Sequence, residues 1–182
     1  MKNLMQKIIL ISILHFCSYL NAQGKIIPSS NPDQQLQKLG ITLPEPSSPV
    51  ANYVKYVQSG NLLYLSGTGP LKSDGTLIKG KLGADLTIEQ GYEAARITAI
   101  NLIATLKSAT GGDLNKVTRI VKVLGMVNAT PDFNDAPKVI NGFSDLVVEI
   151  FGERGRHARS AIGVASLPSG IAVEIELIVE VE

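Results

Sequence analysis

Apolar and polar residues follow two different periods along this chain, and the periods predict an order of strands and helices from residue 51 onward. Two short β-type runs in "YVKYVQSGNLLYLSG" flank residues 59–61, which predicts a hairpin. The stretch "KVTRIVKVLGMV" is rich in β-branched residues and predicts a buried central strand. Two final strands are predicted over 160–165 and 171–181, separated by a turn at 167–170.

Two further segments repeat apolar residues at steps of three and four, which is typical of a helix with one buried face. The first begins at Thr87, which forms a capping box with Gln90, and ends before the two glycines at 111–112. The second begins within 132–137 and ends at Gly152. The resulting order, ββαβαββ, predicts an α+β fold with two helices packed on one face of a mostly antiparallel or mixed sheet.

The first 22 residues have the pattern of a signal peptide. Lys2 and Lys7 precede an apolar run over 8–20, and small residues follow up to Ala22. An uncleaved anchor is the alternative, but 13 apolar residues are few for a bilayer span. We therefore expect export to the periplasm or the medium, with cleavage near Ala22 and no membrane association afterwards.

The remainder of the chain divides into an arm and one domain. Residues 23–50 are rich in Pro, Ser and Gln and predict an extended arm with a short helical turn at 34–39. Residues 51–182 carry the periodic segments and are long enough to form a single domain with its own core.

Removal of residues 1–22 changes the chemistry open to the protein. The 17 basic residues fall to 15 with the loss of Lys2 and Lys7, against 16 acidic ones, so the net charge becomes about −1. Loss of Cys17 leaves no cysteine, which excludes a disulfide, a thiolate nucleophile and a Cys-ligated metal. His157 is the single remaining histidine, so a zinc site is not expected.

Two charged residues near the C-terminus are candidates for a site. Arg159 stands among small residues at the start of a strand, where a guanidinium has room to bind a ligand carboxylate in a bidentate fork. Glu174 belongs to a row of glutamates that alternates with Val and Ile, and it would need a cleft to act as a base. The alternatives are a solvated arginine and an ordinary water-facing row, and the pattern alone favours them.

Other candidates are weaker when taken singly. Tyr53 could form an aromatic wall, Ser66 could donate a hydrogen bond at a strand end, and Asn141 could present an amide to a site. His157 lies in a loop rich in Gly and Arg with no nucleophile in view, which gives little support for catalysis. The sequence has no phosphate-binding loop, zinc-protease motif or serine-hydrolase elbow.

The arrangement of these residues resembles a known family. The stretch "RSAIGVASLPSGIAVEIE" is similar to the C-terminal signature of the RidA/YjgF family of enamine/imine deaminases, with the spacing from Arg159 to Glu174 kept without a gap. The stretch "NYVKYVQSGNLLYLSG" resembles the first hairpin of the family, with Tyr53 and Ser66 at its aromatic and serine positions. The resemblance covers residues 51–182, and "VINGFSDLVVEIFGERGRHARSAIG" is similar to a longer branch of the family.

The resemblance implies a chorismate-mutase-like fold assembled as a homotrimer, with clefts between subunits and with no metal or cofactor. In the family the arginine binds the substrate carboxylate and the glutamate positions the hydrolytic water. Carried over, Arg159 is the carboxylate clamp and Glu174 holds the water, while Tyr53, Ser66 and Asn141 line the pocket. No cofactor is needed because an imine carbon is already electrophilic, so orientation and one base are sufficient.

The sequence departs from the family pattern at two positions, and these departures affect the identity of the substrate more than the roles of Arg159 and Glu174. The common cysteine of the family is Ala161 here, and its usual glutamine is Thr68. Hydrolysis of 2-imino acids to 2-keto acids and ammonia is therefore the expected activity. The alternative is a non-catalytic trimeric binder of small carboxylates. A ribonuclease role ranks last, and no nucleic-acid partner is expected, because a chain of net charge about −1 lacks a broad basic surface.

Overall fold

The computed structural model describes residues 19–20, 26–27, 31–46 and 51–182. The predicted signal peptide lies outside these residues apart from Tyr19–Leu20 (β1), which pairs antiparallel with Ile26–Ile27 (β2). This strand pair belongs to a unit of residues 1–30, and residues 31–182 form a second unit that carries the remaining elements.

Five strands of the second unit form one mixed sheet. They are β3 (Tyr56–Ser59), β4 (Leu62–Thr68), β5 (Val117–Asn128), β6 (Ala158–Val164) and β7 (Val173–Val181). The order across the sheet is β3-β4-β7-β5-β6, and β5 with β6 is the parallel pair among otherwise antiparallel neighbours. The predicted α+β class with a mixed sheet is confirmed, and strands β6 and β7, consecutive in the chain, are separated in the sheet by β5.

Within the part of the chain that the structure describes, three α-helices pack on this sheet: α1 (Pro32–Lys38), α2 (Ile88–Ala109) and α3 (Ala136–Phe151). Helix α2 begins at the predicted capping box, since the Thr87 Oγ1 accepts from the Gln90 N–H at 3.3 Å and the Gln90 Oε1 accepts from the Thr87 N–H at 2.9 Å. From β3 to β7 the element order is ββαβαββ, as predicted. Among the described residues, no helix combines the length and the apolar character needed to cross a membrane.

The prediction of two helices was incomplete because the predicted arm contributes α1. This helix is capped by Asn31, whose side chain accepts from the Gln34 N–H, and it buries Leu36 in the domain core. Asp33 forms an ion pair of 2.7 Å with Lys107 of α2. A helix of seven residues with a single buried leucine is too short to show the apolar periodicity from which α2 and α3 were predicted.

The sheet has one face against the helices and one open face. Buried residues such as Val123 of β5 and Leu177 of β7 point toward the helices, while Glu174 and Glu176 occupy the opposite side of β7. Gly125 of β5 lets α3 approach closely, because a Cβ there would lie 2.7 Å from Ile140 side-chain carbons. The close approach of α3 to β5 sets the position of the α3 side chains that reach the sheet edge.

Candidate functional site

Glu174 lies in a cavity of about 710 Å³ at the end of β4 and the beginning of β7. The cavity is also lined by Tyr53, Ser66 and Gly67, and residues 44–46 of the segment after α1 form part of its wall. Three of the five predicted site residues therefore meet in one cavity, and the segment after α1 contributes to it.

The Glu174 carboxyl is half-buried, and burial raises its pKa above the ordinary glutamate value. The neighbouring Glu176 carboxylate raises the pKa of Glu174 further. A carboxylate of raised pKa is a stronger base near neutral pH. Gly67 leaves space for this group, since a Cβ on Gly67 would overlap the Glu174 Oε1.

Ser66 connects the cavity to the chain segment before β3. Its Oγ donates a hydrogen bond of 2.7 Å to the Val54 carbonyl, and its backbone N–H donates to the Lys55 carbonyl at 3.0 Å. These bonds hold Tyr53 beside the cavity, where 44% of the tyrosine remains exposed. The Ser66 proton is used within the chain, so toward a ligand this hydroxyl acts as an acceptor.

Arg159 lies on the other face of the sheet. Its partner on β5 is Val123, which is fully buried beneath the helices, so the arginine side chain points toward the helix layer. The Arg159 Nη1 donates to the Asn141 Oδ1 at 2.9 Å and to the Ser144 Oγ at 3.0 Å. A second cavity of about 590 Å³ lies beside the guanidinium, between α3 and the loop before β6.

The predicted site residues thus fall into two groups within one chain. Tyr53, Ser66 and Glu174 line the first cavity, and Asn141 contacts Arg159 at the second. The two cavities share no lining residue. One chain brings the arginine and the glutamate to different faces of the sheet, so it does not assemble the predicted pair by itself.

Sequence reasoning missed Ser144 and gave His157 little weight. Ser144 lies one helical turn after Asn141, on the same side of α3, and both contact Arg159. The Ser144 Oγ also lies 3.0 Å from the His157 Nε2. Asn141 and Ser144 lie three residues apart on the solvent-facing side of α3, away from its buried apolar face, and this spacing of two polar residues was the available signal.

Comparisons with known proteins agree with this architecture. A family profile described as "YjgF/chorismate_mutase-like, putative endoribonuclease" matches residues 33–180. Protein TCP17 of Trypanosoma cruzi is 45% identical over 156 residues, which is 85% of this chain and 97% of that protein. A 2-iminobutanoate/2-iminopropanoate deaminase of Dermatophagoides farinae is 31% identical over 143 residues, covering 78% and 95%.

A solved structure has the same fold. The crystal structure of protein Atu1372 from Agrobacterium tumefaciens superposes with a TM-score of 0.78 and 43% identity, covering 83% of this chain and 92% of that one. The family match spans most of the described domain and includes all but the first residue of α1, both cavities and every predicted site residue. The chain therefore belongs to the YjgF/RidA family.

Proposed function

We propose that the protein hydrolyses 2-imino acids to 2-keto acids and ammonia in clefts between the subunits of a homotrimer. The observation that carries the proposal is the division of the site into two groups on opposite faces of one sheet. One group offers a cationic clamp and the other a half-buried carboxylate. A second copy of the chain can bring Glu174 of one subunit against Arg159 of another. The deaminase of Dermatophagoides farinae, at 31% identity, supports the same reaction class.

The open face of the sheet supports self-association. Tyr64 and Ile162 each expose 45% of their surface, and Val57 exposes 55%. Their strand partners place them on the face away from the helices. Val57 pairs with Tyr64, which pairs with Ile178 on the Glu174 side of β7, and Ile162 lies level with Glu174 across β5. These residues lie toward both edges of an uncovered sheet face, and large exposed apolar residues on such a face are typical of a protein interface.

Arg159 has the donors that a carboxylate requires. Asn141 and Ser144 use only Nη1, and no hydrogen bond joins Nε or Nη2 to any described residue. A guanidinium with free donors on one edge can bind a carboxylate through two parallel hydrogen bonds. The proposed substrate is a 2-imino acid because its carboxylate would dock there and its C=N carbon would extend toward the glutamate of the neighbouring subunit.

Glu174 would act as the general base. Its carboxylate takes a proton from water while the water oxygen bonds to the imine carbon and the C=N electron pair moves to nitrogen, and the Glu174 carboxyl then gives that proton to the nitrogen. The resulting carbinolamine gives its hydroxyl proton to the Glu174 carboxylate, which passes a proton to the amino nitrogen as the C–N bond breaks, and the products are the keto acid, ammonia and an ionised Glu174. Fixing the imine carbon and the water beside one another supplies much of the acceleration.

The proposal is tested by generating imino acids in situ with an amino-acid oxidase and measuring the release of keto acid with and without the protein. An acceleration over spontaneous hydrolysis is expected, together with a trimeric mass by light scattering. Saturable binding of a 2-keto acid in calorimetry without any acceleration would instead identify a non-catalytic carboxylate binder. A monomeric mass with full activity would contradict the inter-subunit cleft.

Substitution of Gly67 by alanine should inactivate the enzyme while leaving the fold intact. The new methyl group would occupy the place of the Glu174 Oε1, and this flexible carboxylate can move aside at little cost to folding. A displacement of about 1 Å at a reacting group typically costs about 10²-fold, so we expect kcat to fall by about that factor.

The matched control for Gly67→Ala is Gly163→Ala. A Cβ on Gly163 would meet the Ala129 Cβ at 3.5 Å, which is an ordinary contact. This variant should keep its activity, and the unfolding temperatures of both variants should stay near that of the wild type. Unchanged kcat in Gly67→Ala would show that Glu174 need not occupy this position.

A further inference from the structure

We propose that Ser144 and His157 are positioning residues for Arg159. A hydrogen-bond chain leads from the Arg159 guanidinium through the Ser144 hydroxyl and the His157 ring to the Gly155 carbonyl. The chain holds the guanidinium so that its free donors face the substrate carboxylate. The role of Arg159 in this inference rests on the proposed function, but the hydrogen-bond chain can be tested without a substrate.

Each link in the chain has hydrogen-bond length. The Arg159 Nη1 lies 3.0 Å from the Ser144 Oγ, and the Ser144 Oγ lies 3.0 Å from the His157 Nε2. The His157 Nδ1 lies 2.6 Å from the Gly155 carbonyl oxygen. These distances fall within or just below the usual range for hydrogen bonds. The three links are therefore continuous.

The chemistry of the two ends fixes the direction of the two outer bonds, and a neutral histidine fixes that of the middle one. A guanidinium can only donate and a backbone carbonyl can only accept. The Ser144 oxygen therefore accepts from Arg159, and His157 carries a proton on Nδ1 that it donates to Gly155. In a neutral ring Nε2 has a lone pair, so it accepts the Ser144 proton. All donors and acceptors are satisfied with a neutral histidine. Protonation would place a second N–H against the Ser144 oxygen and add a positive charge beside Arg159.

The surroundings of His157 favour this neutral form. Burial lowers its pKa, the hydrogen bond to Gly155 raises it in part, and the positive charge of Arg159 lowers it again. The other charged residues that line the same cavity are Asp145 and Glu149 of α3 and Arg156 of the preceding loop. Arg156 is paired with a neighbouring carboxylate rather than with the histidine.

The histidine end of the hydrogen-bond chain is held in place by contacts with α3. The His157 ring packs edge-on against the buried Phe143 ring, with centroids 6.0 Å apart and an interplanar angle of 74°. Gly155 is buried against α3, and a Cβ there would lie 2.5 Å from the Val147 carbonyl oxygen. Both contacts are made to α3, the helix that carries Ser144. The acceptor at the end of the chain is thus fixed relative to the arginine.

A serine–histidine dyad with its own hydrolytic activity is a different use of the same residues. The Ser144 oxygen already accepts a hydrogen bond from Arg159, which makes it a poorer nucleophile. The group that orients His157 is a neutral carbonyl and not a carboxylate, so it stabilises an imidazolium less. The geometry therefore favours positioning over nucleophilic catalysis, and kinetics separates the two roles.

The experiment compares Ser144→Ala with Ser144→Thr, which keeps the hydroxyl, and with Ser160→Ala. Ser160 is one residue from Arg159 on β6, and its hydroxyl accepts from Lys122 instead of from the arginine. In Ser144→Ala we expect KM, and the Kd of a 2-keto acid, to rise about 5- to 20-fold with kcat nearly unchanged. Ser144→Thr should recover most of the affinity, and Ser160→Ala should match the wild type.

Nitrogen NMR of the ring tests the chain without any ligand. His157 should carry its proton on Nδ1 at neutral pH and titrate below about 6.5, and its Nε2 resonance should shift in Ser144→Ala. The variant His157→Gln identifies the resonance. A proton on Nε2 would overturn the chain, and loss of kcat at constant KM in Ser144→Ala would overturn the positioning role. A wild type that neither binds nor hydrolyses would refute the proposed function and leave the NMR result valid.

Discussion

Replacement of Arg159 by alanine is expected to lower kcat/KM for imine hydrolysis by about 10²–10³-fold, since loss of a paired charge at a carboxylate costs about 2–5 kcal/mol. The side chain supplies the free guanidinium donors described above and is held by Asn141 and Ser144. The Kd of a 2-keto acid measured by calorimetry should rise by a similar factor. Arg159→Lys should recover only part of the loss because an ammonium cannot form the bidentate fork.

Arg156→Ala is the matched control for Arg159→Ala. Arg156 lines the same cavity, but its Nε is paired with the Glu153 carboxylate at 2.9 Å and two thirds of its side chain is exposed. Its removal should change kcat/KM by less than about 3-fold, as is usual for an exposed ion pair. Equal losses in Arg156→Ala and Arg159→Ala would mean that general positive charge, and not the position of one guanidinium, attracts the substrate.

Replacement of Glu174 by glutamine should lower kcat by about 10²–10⁴-fold, the usual contribution of a general base, with a smaller change in KM. In the wild type, kcat should rise with pH through the raised pKa of Glu174 and then level off, because only the carboxylate can accept the proton. Stopped-flow or coupled assays of keto-acid release across pH 5 to 8 measure both effects, and Glu174→Gln should lose the pH dependence.

The same substitution should stabilise the protein at neutral pH. Because the folded-state pKa of Glu174 is raised, the folded protein binds the proton more tightly than the unfolded chain, and stability falls as pH rises from about 4.5 through that pKa. Glu174→Gln removes this penalty. Glu176→Gln should leave the kcat plateau nearly unchanged and lower the pH at which it is reached, because the Glu176 carboxylate contributes to the raised pKa of Glu174. Full activity in Glu174→Gln would exclude it as the base.

The periods of apolar residues were sufficient to predict most of the strands and helices. The alternation of Val173, Ile175 and Val179 with glutamates placed β7 correctly, and the capping box at Thr87 located the start of α2. For α1 the sequence predicted only a short helical turn, because one buried leucine gives no apolar repeat. The pairing of β5 with both β6 and β7 joins segments distant in the chain, and local sequence patterns carry no signal for it.

The candidate site depended on family resemblance more than on pattern. Taken alone, the alternation favoured a water-facing row for Glu174 and a solvated surface position for Arg159. Through their partners on β5, Val123 and Met126, the two residues lie an odd number of positions apart, so they point to opposite faces of the sheet. This parity depends on strand register, which the sequence does not reveal. The contact of Ser144 with His157 and Arg159 likewise depends on how closely α3 packs on the sheet.

The placement of the two groups on opposite faces has a genetic consequence. If each cleft combines the arginine of one subunit with the glutamate of another, chains defective in one group can rescue chains defective in the other. In trimers assembled at random from equal amounts of Arg159→Ala and Glu174→Gln, about a quarter of the clefts would contain both wild-type groups. Two inactive alleles expressed in one cell would then restore activity to each other. A site formed within a single chain would not show this complementation.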